Sequence, residues 1–120
     1  MALILVVDDD ASIRVALRQI LERAGHRVVD APDGETGLNL YRQGPADLVI
    51  TDLMMPSKEG VETTIELRQE FPDARVIAIS GVDDISLLQA SAFGALRVFR
   101  KPLDTEKLLK AVEEILESGP

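Results

Sequence analysis

"LILVVDDDASIRVALRQILERAG", residues 3–25, joins two hydrophobic patterns across three consecutive acids. Leu3 to Val7 is an unbroken apolar run, the composition of a strand covered on both faces. Ile13, Ala16, Leu17, Ile20, Leu21 and Ala24 then recur at the spacing of one helical face, and Gly25 can end that helix. A strand followed by a helix is one βα unit, and the rest of the chain repeats it.

Arg27–Ala31 reads as a second strand, and Asp33 can cap a helix running to about Gln43. Leu48–Thr51 is a third strand. Val61, Thr64, Ile65, Leu67, Arg68 and Phe71 mark a helix that Pro72 closes. Val76–Ile79 is a fourth strand, and Ile85, Leu88 and Ala92 share a helical face before Gly94. Arg97–Arg100 is a fifth strand; Leu108, Leu109, Val112, Ile115 and Leu116 form a last helix after Asp104. Strands one, three and four are nearly all apolar, whereas two and five carry Arg27, Asp30, Arg97 and Arg100, so the charged pair belongs at the edges. With right-handed crossovers this predicts an α/β, flavodoxin-like doubly wound (βα)5 fold, a five-stranded parallel sheet in order 2-1-3-4-5.

Composition narrows the function. The 120 residues, 46% hydrophobic, suit one domain over 1–120. Thirteen Lys+Arg against 21 Asp+Glu give a net charge of −8, which disfavours direct nucleic-acid binding. At 3% aromatic content there is no stacking platform for single strands. Without cysteine there is neither a disulfide nor a thiolate site, and His26 alone cannot build a zinc cage. Leu3–Val7 is too short to span a membrane and lacks signal-peptide flanks, so no membrane insertion and a cytoplasmic location are expected.

In a doubly wound sheet, ligands sit beyond the carboxyl ends of the strands where the winding reverses, here between strands one and three. The residues just past the strands are Asp8-Asp9-Asp10, Asp52, Ser80-Gly81 and Lys101-Pro102. Clustered carboxylates repel unless a cation neutralises them, and an all-oxygen ligand set suits a hard divalent ion such as Mg²⁺. Each group has a plainer reading alone: Asp10 as a helix starter, Ser80 as a loop residue, Lys101 as a solvated lysine, Glu113-Glu114 as a solvated helical face. Their convergence on one rim outweighs those readings for Asp8, Asp9, Asp52, Ser80 and Lys101.

The motifs "VVDDDAS", "TDLMMPSKEG", "AISG" and "FRKPL", in this order over essentially the whole chain, resemble those of receiver domains of bacterial two-component response regulators. The resemblance implies a phosphoacceptor switch that assists its own phosphorylation and dephosphorylation rather than an enzyme with a separate substrate. By it, Asp52 takes a phosphoryl group from a histidine kinase or histidine phosphotransfer protein. Asp8, Asp9, Asp52 and the Met54 backbone carbonyl serve Mg²⁺, or Mn²⁺ in its place; Lys101 contacts the phosphoryl oxygens; Ser80 is the switch hydroxyl; and the Lys101-Pro102 bond is cis. A carboxylate is a nucleophile without a base to deprotonate it, which accounts for the lack of a catalytic histidine.

Two departures from the family pattern stand out. The aromatic usual three residues before the lysine is replaced by Val98, with Phe99 on the opposite face of its strand. The positions flanking the attacking water's approach hold Met54 and Val82, which can exclude water and cannot orient it, so slow autodephosphorylation is expected. No segment after the last helix could read DNA or turn over a substrate, so a downstream output protein or a fused output domain is expected elsewhere. A second copy of the chain, meeting it through the fourth helix, fifth strand and fifth helix, is a further candidate partner, with Arg97 and Arg100 at that edge.

Two rivals remain. An aspartyl-nucleophile phosphohydrolase would want a second acid near Asp52, where the sequence has Leu53 and Met54. A non-phosphorylated pseudo-receiver that only binds a partner is encouraged by Val98 and opposed by the complete set of acids, Ser80 and Lys101.

Overall fold

The five apolar runs form five parallel strands, β1 (Leu3–Val7), β2 (Arg27–Ala31), β3 (Leu48–Asp52), β4 (Val76–Ser80) and β5 (Arg97–Arg100), in order β2-β1-β3-β4-β5. The computed structural model describes residues 2–53, 59–81 and 94–118. Among these, the helices are α1 (Ala11–Arg23), α2 (Gly34–Gln43), α3 (Glu59–Glu70) and α4 (Thr105–Glu117). The helix expected around Ile85–Ala92 lies outside the described residues, so α4 is the last helix of the sequence reading.

Side-chain alternation sorts the core into two layers, as a sheet covered on both faces requires. Ile4, Val6, Leu48, Ile50, Ile77 and Ile79 pack with Leu17 and Leu21 of α1 and with Leu108, Val112 and Ile115 of α4. Leu5, Val7, Val49 and Val76 face the other way, onto Leu38 and Tyr41 of α2 and Leu67 of α3. Every residue of β3 and β4 is buried, whereas the ends of β5 are exposed, which matches the edge places of the charged strands.

Local signals start and stop the helices. The side chains of Asp10, Asp33 and Asp104 accept hydrogen bonds from the amides of Ser12, Thr36 and Lys107 at the starts of α1, α2 and α4. Each cap satisfies an amide of the first turn that has no partner within its own helix. After α1 the chain turns through Gly25, whose φ of +94° suits glycine. His26 comes next: its Nδ1 accepts from the Ala2 amide at 3.3 Å, so its Nε2 carries the proton and donates to Glu113 at 2.9 Å. Glu113 is therefore a partner of His26 rather than merely part of a solvated face.

β3 and β4 each run one residue further than their apolar runs, to Asp52 and Ser80. The parallel ladder pairs Asp52 with Ile79 and Ser80 with Arg100, and Leu53 and Lys101 still donate to the carbonyls of Ile79 and Ser80 at 2.8 Å. The polar side chains at the rim thus sit on rigid strand backbone.

Candidate functional site

The rim is built by alternation. Asp8 continues the side of β1 that holds Ile4 and Val6, and Asp52 the side of β3 that holds Leu48 and Ile50, so both carboxylates stand on the same side of neighbouring strands. Both are buried, at 1% and 2% exposure, while Asp9 beside them is exposed. Oxygens of Asp8, Asp9 and Asp52 lie within 4.8 Å of one another. From the end of β5, Lys101 Nζ reaches Asp52 Oδ2 at 3.1 Å and Asp8 Oδ2 at 3.5 Å. The Lys101-Pro102 bond is cis, as the resemblance implied.

Burial is the main force on Asp8, pushing its pKa up to about 6. The negative charge of Asp52 adds to it, while the Asp10 amide, donating to Asp8 Oδ1 at 2.9 Å, and the Lys101 ammonium pull the other way. For Lys101 burial disfavours the charge, but the hydrogen bond to Asp52 and the charges of both acids outweigh it, so its pKa is raised. The ammonium stays charged at neutral pH. Asp10, which caps α1, is held below the usual carboxylate range by its hydrogen bonds to the Ser12 hydroxyl and amide.

The three carboxylates fit a hard divalent cation. Asp8 Oδ2 is buried without a hydrogen-bond partner among the described residues, with the Lys101 ammonium 3.5 Å away. Two oxygens sharing an Mg²⁺ at about 2.1 Å stand at most about 4.2 Å apart. The 4.8 Å spread is close to that limit, and the exposed side of Asp9 leaves room for the waters that Mg²⁺ retains.

Ser80, at the end of β4, is wholly buried, and its Oγ has no hydrogen-bond partner among the described residues. Val98 packs beside Leu53, Ala78 and Ala95, while Phe99 joins the opposite layer with Ile79 and Leu108. Met54 and Val82 lie outside the described residues. The structure thus brings together Asp8, Asp9, Asp52 and Lys101.

It also adds Arg14, which the sequence did not single out. Its Nη1 donates to the backbone carbonyl of Asp8 at 2.6 Å, and its Nε to Asp30 Oδ2 at 3.2 Å. No local spacing announces a contact between α1 and the backbone it has just left. Asp30 read only as an edge charge.

A family model described as "Response regulator receiver domain" matches residues 4–113. Sporulation initiation phosphotransferase F of Bacillus subtilis is 30% identical over 114 residues, which span 94% of this chain and 92% of that protein. The DNA-binding transcriptional regulator NtrC of Azospirillum brasilense is 36% identical over 119 residues, 98% of this chain and 25% of NtrC. The regulatory protein AfsQ1 of Streptomyces coelicolor is 33% identical over 116 residues, 97% of this chain and 52% of AfsQ1, so the chain spans a quarter to about half of these longer relatives. Among solved structures, a receiver domain protein from Clostridium thermocellum superposes with a TM-score of 0.91 at 30% identity, covering 98% of this chain and 96% of that one. A CheY-like receiver domain protein from Methanospirillum hungatei gives 0.92 at 28% identity over 98% and 95% of the two chains. Receiver domains bind Mg²⁺ at an acidic pocket and act as regulatory phosphoacceptors. Since the matching family model covers nearly the whole strand-and-helix repeat, the chain belongs to the receiver domains of two-component response regulators.

Proposed function

We propose that residues 1–120 form one receiver domain that works as a phosphorylation switch, with Asp52 as the acceptor. The observation that carries this reading is the position of Lys101 Nζ, 3.1 Å from Asp52 and 3.5 Å from Asp8, at the mouth of two buried carboxylates.

A carboxylate oxygen of Asp52 attacks the phosphorus of a phosphohistidine on a histidine kinase or phosphotransfer protein. An O–P bond forms, the P–N bond breaks, and the imidazole leaves with the electron pair. The product is a mixed anhydride on Asp52. Lys101 already holds Asp52 Oδ2, and its remaining protons can turn toward the incoming phosphoryl oxygens, which bring negative charge to an acidic pocket. When bound by Asp8, Asp9, Asp52 and the Met54 carbonyl, Mg²⁺ would supply the positive charge that offsets repulsion between nucleophile and phosphoryl group. Burial of Asp8 and Asp52 keeps these interactions in a low dielectric.

Ser80 would supply the switch. Its buried hydroxyl gains a strong acceptor once a phosphoryl group is in place, and drawing it there displaces the end of β4 together with Gly81. With Val98 in the place of the usual aromatic, packed beside Leu53 and Ala78, no ring at that position need turn. The output is delivered by contact, to a separate protein or to a domain joined to this one, from a cytoplasmic location. No helix among the described residues is long and apolar enough to cross a membrane.

Mixing the protein with Mg²⁺ and a phosphohistidine donor, with intact mass monitored over time, tests this reading. Stoichiometric gain of one phosphoryl group that chelation of Mg²⁺ prevents is the expected result. Continuous phosphate release without a labelled protein would replace the switch by a hydrolase.

A further inference from the structure

We propose that Arg14 is a positioning residue for the acidic pocket, orienting Asp8 and Asp9 through the peptide that joins them. The inference rests on the reading of that pocket as a metal and phosphoryl site.

The two sides of the Asp8 backbone are held by different elements. Its amide donates to the Ala31 carbonyl at the end of β2, at 3.1 Å. Its carbonyl accepts from Arg14 Nη1 at 2.6 Å, and the same guanidinium donates through Nε to Asp30 Oδ2. Asp30 is in turn held by Arg18 Nη2 at 2.8 Å, and Arg18 Nη1 donates to the Val28 carbonyl at 2.9 Å. Arg14 is thus fixed from β2 by a carboxylate that is itself fixed, and its side chain is only 18% exposed.

Peptide planarity carries this contact into the pocket. Holding the carbonyl of residue 8 holds the plane that carries the Asp9 amide, and with it ψ of Asp8 and the place of the Asp9 Cα. With its amide bonded to Ala31 and its carbonyl to Arg14, the Asp8 Cα is held from both sides, and the same plane sets where Asp9 starts relative to Asp52 on β3. The Asp8 carboxylate has two other supports among the described residues: its Oδ1 accepts from the Asp10 amide, and its Oδ2, without a hydrogen-bond partner, faces the Lys101 ammonium at 3.5 Å. A planar fork that donates in two directions suits this task, which a lysine could not reproduce. Asp30 also offsets the charge of Arg14, so the contact orients the pocket without adding an unpaired cation beside it.

Calorimetric titration of Mg²⁺ into the whole chain tests the proposal, with thermal stability measured alongside. Wild type should bind; if it does not, the pocket itself has been misread, a failure distinct from that of Arg14. Arg14→Gln should weaken Mg²⁺ binding about ten-fold, the scale of losing a group that orients a metal ligand. Arg42→Gln removes a guanidinium from the ion pair with Glu70, outside the chain of contacts from Arg18 through Asp30 to Arg14, and should bind within about two-fold of wild type. Asp30→Asn keeps Arg14 while loosening it, and should weaken binding by a smaller factor, which keeps the test open if Arg14→Gln fails to fold. Wild-type affinity in Arg14→Gln, wild-type affinity in Asp30→Asn, or equal weakening in Arg42→Gln would each overturn the inference.

Discussion

Lys101 Nζ lies 3.1 Å from Asp52 Oδ2, although 49 residues separate them. Two strand ends of one sheet meet there, and the ammonium faces both buried carboxylates, Asp52 and Asp8. Replacing Lys101 by Met should slow phosphorylation of Asp52 about a hundred-fold, the usual cost of removing one electrostatic stabiliser. It should also destabilise the protein by about 1–3 kcal/mol at neutral pH, less than a fully buried pair because Lys101 is partly exposed. Denaturant unfolding and labelling rates check the two effects. A variant labelled at the wild-type rate would remove Lys101 from the chemistry.

The raised pKa of Asp8 has a definite sign in the metal-free protein. Folding lifts it from 3.8 to about 6, so the native state holds the proton longer than the unfolded chain. Stability is therefore lost as pH rises through this window, and the penalty is complete above it, up to about 3 kcal/mol for two pKa units. Asp8→Asn should make the protein more stable than wild type in chelator at pH 7.5, with roughly half that gain at pH 5. Added Mg²⁺ should stabilise wild type alone. Urea unfolding at both pH values checks this, and a variant less stable at pH 7.5 would contradict it.

Much of the fold is legible because burial writes itself into composition. β1, β3 and β4 are central and almost wholly apolar, and the charges that mark β2 and β5 as edges lie where the sheet ends. Asp10, Asp33 and Asp104 reveal helix starts for an equally local reason. Strand ends at Asp52 and Ser80 were less legible, since a charge and a hydroxyl resemble loop residues until the ladder carries them inward. The Arg14 contact with Asp8, and that of His26 with Glu113, are products of tertiary approach and leave no periodic trace.

The buried hydroxyl of Ser80 has no hydrogen-bond partner among the described residues, so Ser80→Ala should leave resting stability unchanged or raise it by about 1 kcal/mol. The same change should uncouple phosphorylation from the surface. On adding beryllofluoride and Mg²⁺, amide resonances at Ser80, Gly81 and the residues after them should shift in wild type and much less in the variant. Val98 and Phe99 should move little in either. Large shifts at β5 with a still Ser80 would reverse the assigned route.

The resemblance to receiver domains puts Met54 and Val82 beside the approach of the attacking water, which makes the lifetime of the phosphoryl group testable at these two positions. Together, Met54→Asn and Val82→Glu supply groups able to orient a water, and should shorten the half-life of the phosphorylated protein about ten-fold or more. Decay monitored by intact mass in Mg²⁺ after the phosphoryl donor is removed checks this. Unchanged decay would assign the lifetime to other residues.

The most direct measurement of all locates the phosphoryl group. Protein loaded from acetyl phosphate and Mg²⁺ is reduced with borohydride, which converts an aspartyl phosphate to homoserine, and its peptides are sequenced by mass spectrometry. Homoserine at position 52 alone, and none after loading in chelator, is the expected outcome. Homoserine at Asp8 or Asp9, or a loaded protein with Asp52 intact, would contradict the assignment of Asp52 as the acceptor.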